Sequence, residues 1–168
     1  MPTAYEDPRA LRVSTGTGNR KYQLLLVEDS RSDARLFKEA LNTWGTRHPL
    51  IVVEDGEAAL DVLSRPEGQD GSRRPDLIFL DLNLPKMDGF EILKRIRRHE
   101  NPAVGAIPVI VFTSSSLPRD IERAYELGAN AFITKPSDFH EFCRTLARVA
   151  SFWFGIATLP QPSSIPMA

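Results

Sequence analysis

Short runs of apolar residues alternate along this chain with longer segments in which apolar residues recur every three or four positions. A continuous apolar run suits a strand that is buried on both faces of a parallel sheet, and the wider spacing suits one face of a helix. The alternation predicts five strands, each followed by a helix. The strands are expected at about 22–27, 49–53, 77–80, 107–112 and 129–134.

Strands and helices that alternate with short connections predict the α/β class. The expected architecture is a doubly wound, five-stranded parallel sheet with right-handed crossovers and five helices. Residues 1–20 contain Pro, Gly, Ser and Thr without an apolar period, which predicts a flexible N-terminal arm. The folded domain is expected over 21–154, and residues 155–168 are expected to form a Pro-rich C-terminal tail.

Polar side chains follow four of the five predicted strands, where each strand ends. They are Glu28 and Asp29, then Asp81, then Thr113 and Ser114, and finally Lys135 with Pro136. In doubly wound sheets, ligands bind beyond the carboxyl ends of the strands. Three close carboxylates would repel one another unless a divalent cation lay among them, and a few carboxylates with several waters are the usual ligands of Mg²⁺. We therefore expect a Mg²⁺ site here that also accommodates a phosphoryl group.

Four motifs at these strand ends are similar to those of the receiver domains of two-component response regulators, and the similarity covers about residues 21–150. The motifs are Leu25 to Ser30, Asp81 to Gly89, Phe112 to Ser114 and Thr134 to Pro136. Each motif alone is weak, but the four together in this order and spacing are specific. The resemblance implies a flavodoxin-like fold with strand order 2-1-3-4-5.

The resemblance also implies a phosphoryl acceptor and a metal site. Asp81 would be phosphorylated by a histidine kinase. Glu28, Asp29 and Asp81 would hold Mg²⁺ together with the backbone carbonyl of Asn83, with Glu28 reaching the ion through water. Asp81 is placed directly after a buried strand, where it is fixed in position but still reachable.

Further residues would bind the phosphoryl group and respond to it. Thr113 and Lys135 would bind phosphoryl oxygens, and the small Ser114 would leave an access path. Phe132 would be the family's switch aromatic, which moves inward with the threonine; a place in the core is the structural alternative. The Lys135–Pro136 bond is predicted to be cis, because X–Pro bonds tolerate cis far better than other peptide bonds.

Two other functions can place an acid after a strand of such a sheet. Phosphatases of the haloacid-dehalogenase type use a strand-end aspartate as nucleophile and a second aspartate, two residues later, as general acid. Here that position is Asn83, so we do not expect an enzyme. A flavin-binding module of flavodoxin type needs a phosphate loop after the first strand, where Glu28 and Asp29 would repel phosphate.

Further details of the sequence resemble single-domain response regulators that work with bacterial phytochromes, of the Deinococcus-like type. These details are the segments 48–50, 81–89 and 152–155. The partner expected from this resemblance is a phytochrome histidine kinase, and the alternative is a phosphorelay or phosphate-sink receiver for another kinase. No output domain is expected after the receiver, so the expected output is a contact with another protein.

The last predicted helix has more apolar surface than packing on a sheet requires. Phe142, Leu146, Val149 and Trp153 recur at the spacing of one helical stripe, and Phe154 adds to it. Because excess aromatic surface commonly marks an interface, these five residues are predicted to form a homodimer interface. The alternative is that the tail folds back over its own core.

Charge and cysteine content limit the remaining possibilities. The formal net charge is −1, and the basic run 94–98 is expected to be a solvated helix face, so no nucleic-acid partner is expected. Cys143 is the only cysteine, which excludes an internal disulfide and favours a reducing compartment. No signal segment and no apolar run near the ~20 residues of a membrane span is found, so no membrane association and a cytoplasmic location are expected.

Overall fold

The structure is a computed structural model that describes residues 21–43, 48–68, 71 and 73–160. The predicted flexible arm over 1–20 lies outside the described residues, as does the tail after residue 160. Among the described helices, none is long and apolar enough to cross a bilayer.

Five short strands form one parallel sheet in the order β2-β1-β3-β4-β5. β1 lies between β2 and β3, where Leu24 is level with Leu50 of β2 on one side and with Leu77 of β3 on the other. The predicted strand order and doubly wound architecture are confirmed. The strands are Leu24–Val27 (β1), Leu50–Val53 (β2), Leu77–Leu80 (β3), Val109–Thr113 (β4) and Ala131–Thr134 (β5).

Six helices are described, one more than predicted. The additional helix, Pro102–Gly105, is a single turn that Asn101 caps by accepting a hydrogen bond from the Ala103 backbone N–H. Four residues are too few for an apolar period, which is why the pattern did not reveal it. The helices are Arg31–Thr43 (α1), Gly56–Ser64 (α2), Gly89–Arg97 (α3), Pro102–Gly105 (α4), Pro118–Glu126 (α5) and Phe139–Gly155 (α6).

Each face of the sheet has its own core, because successive residues of a strand point to opposite sides. Leu25 and Val27 of β1 pack with α2 and α3, whereas Leu24 and Leu26 pack with α1 and α6. The core between the sheet, α1 and α6 contains a chain of edge-to-face aromatic contacts, which bury large areas and fix ring orientations. The rings are those of Phe37, Phe79, Phe112 and Phe142.

The stripe predicted to form a dimer interface packs against the protein's own sheet. Phe142, Leu146 and Phe154 are only 3%, 1% and 8% exposed, so their assignment to an interface is wrong. Val149 and Trp153 are partly buried and pack against the same core. An amphipathic stripe shows that a helix has an apolar face, and here α1 and the sheet cover that face.

The described part of the tail continues to pack on the domain. After α6 the chain turns, and the backbone N–H groups of Ile156 and Ala157 both donate to the carbonyl of Phe152. Leu159 is then buried in the core between the sheet, α1 and α6. As far as residue 160, the tail therefore follows the alternative in which it folds back over its own core.

Candidate functional site

The carboxyl ends of β1, β3, β4 and β5 bring the predicted site residues to one edge of the sheet. Sheet hydrogen bonds fix two of the acids: the backbone N–H of Asp81 donates to the carbonyl of Val27 at 3.1 Å, and that of Glu28 donates to Val53 at 2.9 Å. Both acids are buried, although each follows its strand directly. Their positions are therefore set by the sheet and not by a mobile loop.

Three carboxylates form a cluster that fits a divalent cation. Glu28, Asp29 and Asp81 each offer an oxygen, and the three oxygens lie within 4.8 Å of one another. Asp29 is exposed, while the other two acids are buried. A small set of carboxylate oxygens with one side open to water suits Mg²⁺, which keeps several of its water ligands in proteins.

Lys135 lies at the centre of the acids. Its ammonium nitrogen is 2.7 Å from Asp81 Oδ2, 2.5 Å from Glu28 Oε2 and 2.9 Å from Asp33 Oδ2. The lysine side chain is only 6% exposed. Three carboxylates thus accept all three donors of the ammonium group.

Asp33 was not among the residues predicted for this site. It lies in the first turn of α1 and keeps 34% of its side chain exposed. An acid in the first turn of a helix has an ordinary explanation, since it stabilises the positive end of the helix dipole. A signal was nevertheless present, because helical side chains lean toward the N-terminus, which here faces the strand ends.

Burial and charge act in opposite directions on the buried acid and base. Burial raises the pKa of Glu28; the hydrogen bond and charge of Lys135 lower it, and the charge of Asp81 raises it. Burial lowers the pKa of Lys135, but its hydrogen bonds to Asp81, Glu28 and Asp33 outweigh burial and raise the pKa well above its usual value. The lysine therefore stays positively charged and partly neutralises the acids.

The loop after β3 wraps around the acceptor. The backbone N–H of Asn83 donates to Asp81 Oδ1 at 3.1 Å, and its side chain reaches Ser114 Oγ at 3.4 Å. Lys86 adopts a positive φ of 63° and donates to Asp55 Oδ2 at 2.9 Å, which joins this loop to the one before α2. Both oxygens of Asp81 thus have partners, one in the loop and one in Lys135.

Thr113 and Phe132 lie on neighbouring strands behind the acids. Thr113 is fully buried, and its carbonyl accepts the backbone N–H of Lys135 at 2.7 Å. Phe132 is half-buried and packs against the cluster of α3, β4 and α5 residues that contains Phe90. Its backbone N–H donates to the hydroxyl of Tyr125 at 3.2 Å, which links β5 to α5.

The predicted cis peptide before Pro136 is wrong in this structure. No cis peptide bond occurs in the part of the chain that is described, and residues 135 and 136 belong to it. The trans form is the more stable one for an X–Pro bond, by roughly 0.5–1 kcal/mol. With this bond trans, Lys135 already reaches all three carboxylates.

Comparison with known proteins identifies close relatives of this arrangement. The family model of the response regulator receiver domain matches residues 24–147. The response regulator Rcp1 of Synechocystis is 42% identical over 137 residues, which are 82% of this chain and 92% of Rcp1. The sequence similarity thus covers nearly the whole length of that relative.

Solved structures agree with the sequence comparison. The phosphorylated cyanobacterial phytochrome response regulator RcpA has a TM-score of 0.77 at 37% identity, covering 84% of this chain and 100% of RcpA. The Mn²⁺-bound form of Rcp1 has a TM-score of 0.75 at 41% identity, covering 83% of this chain and 99% of Rcp1. The receiver domain of a Pseudomonas aeruginosa sensor histidine kinase has a magnesium ion coordinated in its active-site cleft. This receiver domain has a TM-score of 0.63 at 29% identity, covering 81% of this chain and 99% of the receiver domain.

Proposed function

This chain belongs to the family of response regulator receiver domains, and we propose that it accepts a phosphoryl group on Asp81 and switches conformation as a result. The observation that carries the proposal is the position of Asp81, between two further carboxylates and the ammonium group of Lys135. As a signalling protein it would be an acceptor and not an enzyme. The test is Mg²⁺-dependent transfer of labelled phosphate to this chain from an autophosphorylated histidine kinase.

The transfer would use a carboxylate oxygen of Asp81 as the nucleophile. The oxygen bonds to phosphorus while the bond from phosphorus to the donor nitrogen or oxygen breaks, and the leaving group keeps that electron pair. Lys135 would exchange its bond to Asp81 Oδ2 for a bond to a phosphoryl oxygen. The hydroxyl of Thr113 would take a second phosphoryl oxygen, and Ser114 would leave room for the donor to approach.

We propose that Asp29, Asp81, Glu28 and the backbone carbonyl of Asn83 hold Mg²⁺. The fit rests on the 4.8 Å spread of the three carboxylate oxygens and on the open side at Asp29. A bound Mg²⁺ would neutralise the charge that develops on the phosphoryl oxygens. Glu28 would contribute through water, because it already accepts bonds from Lys135 and from the Ser30 backbone N–H.

Removal of Asp29 is expected to weaken Mg²⁺ binding more than removal of Glu28. Asp29→Asn removes the carboxylate that would bind the ion directly, so the dissociation constant for Mg²⁺ should rise at least about tenfold. Glu28→Gln removes a carboxylate that would act through water and should raise this constant severalfold. Titration calorimetry with Mg²⁺ measures both values. The exposed Asp61→Asn, on α2, is the charge-matched control and should bind like the unmodified protein. Equal losses in the two site variants would mean that both carboxylates contribute alike.

The switch would run from Thr113 to Phe132. Both residues pack at the junction of β4 and β5, and the bond from Phe132 to Tyr125 continues the path to α5. Movement of the threonine hydroxyl toward a phosphoryl oxygen would free space that the Phe132 ring can enter. The surface of β5 and α5 would then differ between the unphosphorylated and phosphorylated states, so a partner protein could bind one state more tightly than the other.

Thr113→Ala is expected to separate phosphorylation from the switch. The variant should still be labelled, more slowly, because Asp81 and Lys135 remain. The amide NMR signal of Phe132 is expected to shift on phosphorylation of the unmodified protein and to stay in place in the variant. A shift of normal size in the variant would show that the response does not pass through the threonine hydroxyl.

We propose a phytochrome-type histidine kinase as the partner, with the chain acting as a cytoplasmic single-domain regulator that signals through protein contacts and not through nucleic acid. The 42% identity to Rcp1 over 92% of its length, and the likeness to RcpA, support this pairing. A phosphorelay or phosphate sink for another kinase is the competing assignment. Faster transfer from a phytochrome-type kinase than from an unrelated histidine kinase would favour the pairing.

We further propose that the chain forms a homodimer through the exposed apolar residues at the end of α6. Phe152 and Ile156 remain exposed, next to the partly buried Trp153. A two-fold contact would place each patch against its own copy. Light scattering at tens of micromolar should give twice the mass of one chain, and Phe152→Glu with Ile156→Glu should give the mass of one chain with an unchanged fold. A single-chain mass for the unmodified protein would contradict the dimer.

A further inference from the structure

Asp33 differs from the other two acids that hold the Lys135 ammonium. Glu28 and Asp81 both belong to the carboxylate group that fits a metal ion, and Asp81 is also the proposed acceptor. The Asp33 carboxylate is outside that group, yet its Oδ2 lies 2.9 Å from the ammonium nitrogen. It is therefore the one carboxylate partner of the lysine that neither metal binding nor phosphoryl transfer would occupy.

The position of Asp33 is fixed by the start of α1. Its backbone N–H donates to the Ser30 hydroxyl at 3.3 Å, and the Ser30 backbone N–H in turn donates to Glu28 Oε1 at 3.0 Å. Asp33 thus reaches Lys135 from a helix that begins at the end of β1. A charge-assisted hydrogen bond that the lysine donates to such an anchored acid holds the flexible lysine in one place at a lower entropy cost.

We propose that Asp33 is a positioning residue for phosphoryl transfer. It holds the Lys135 ammonium beside the acceptor while the lysine exchanges its bond to Asp81 for one to the phosphoryl group and Glu28 also serves a water ligand of the metal. The inference rests on the proposed function, because it assumes that Asp81 is the acceptor. Without Asp33, the ammonium group would keep only Glu28, which also accepts the Ser30 backbone N–H and would serve a water ligand of the metal.

Asp33→Ala should slow phosphorylation of Asp81 about tenfold, the effect of one charge-assisted hydrogen bond on a rate. The probe is acetyl phosphate with saturating Mg²⁺, and the readout is the growth of the phosphorylated mass with time. Glu39→Ala is the matched control, since it removes one carboxylate from the same helix, where Glu39 pairs with Arg35 at the surface. It should be labelled at the normal rate. Asp33→Asn, which keeps an acceptor oxygen in the first turn, serves in its place if Asp33→Ala does not fold.

A second readout separates positioning from a general effect on α1. The ammonium NMR signal of Lys135, identified by its absence in Lys135→Gln, should be visible in the unmodified protein and in Glu39→Ala, and broadened in Asp33→Ala. Slow labelling together with a broadened signal supports the inference. A normal or faster rate overturns it, and so does slow labelling with an unchanged signal. If unmodified protein is not labelled at Asp81 at all, the proposed function fails first, which is a different result.

Discussion

Phosphorylation is expected to be lost when Asp81 is replaced by asparagine. The amide has almost the same shape as the carboxylate and keeps one acceptor oxygen, which can take the hydrogen bond from Asn83 or from Lys135, so the fold should be kept. It lacks the negative charge and the nucleophilic oxygen that bond formation to phosphorus requires. Intact-mass measurement after incubation with Mg²⁺ and acetyl phosphate should give one added phosphoryl group for the unmodified protein and none for the variant.

The unmodified protein and Asp81→Asn should differ in the same way when a kinase is the donor. Labelled phosphate from an autophosphorylated phytochrome-type histidine kinase should reach the unmodified chain and not Asp81→Asn. Asp88→Asn is the control, because Asp88 is an exposed acid at the end of the same loop, where it caps α3 and asparagine also caps well. It should be labelled normally. Full labelling of Asp81→Asn by either donor would show that the acceptor is another residue.

Gly89→Ala is expected to cost about 3 kcal/mol of unfolding free energy, at the upper end for an overpacked site. A Cβ at this position would lie 2.3 Å from the Asp81 carbonyl oxygen and 2.7 Å from the Leu82 Cα. Both atoms are backbone, so they cannot move aside cheaply. Because the clash is with Asp81 itself, labelling by acetyl phosphate should also slow in the fraction that remains folded.

Gly105→Ala provides the matched control for this substitution. Gly105 lies in α4, and an added Cβ would be no closer than 3.4 Å to the carbonyl oxygen of Arg97. Alanine is a better helix former, so this variant should be as stable as the unmodified protein or more stable. Urea unfolding of both variants measures the difference. Equal stability of the two variants would contradict this expectation, because the backbone of the loop after β3 would then have moved to accommodate the added Cβ.

The fold and the acids of the site could be predicted from sequence because both follow from local patterns. Runs such as Leu24–Val27 are apolar on both faces, which suits a strand that helices cover on both sides. The rule that ligands bind beyond the carboxyl ends of the strands then selected Asp81 and its neighbours. Neither step requires knowledge of how distant side chains pack.

The parts that were missed depend on packing between distant elements. Asp33 joins the site through Lys135, which is 102 positions away in sequence. The apolar stripe of α6 has the same spacing whether a second subunit or its own sheet covers it, and the sheet covers Phe142 and Leu146. In both cases the sequence specifies which face of an element carries a property, but not which element lies opposite.

The most direct test of the account is to locate the phosphoryl group in the unmodified protein. After labelling with acetyl phosphate and Mg²⁺, borohydride reduction would convert a phosphorylated aspartate to homoserine, and peptide mass spectrometry would identify the modified position. Homoserine is expected at position 81 and at no other acid of the cluster. Modification at Asp29 or Asp33, or on a residue that is not an acid, would contradict it.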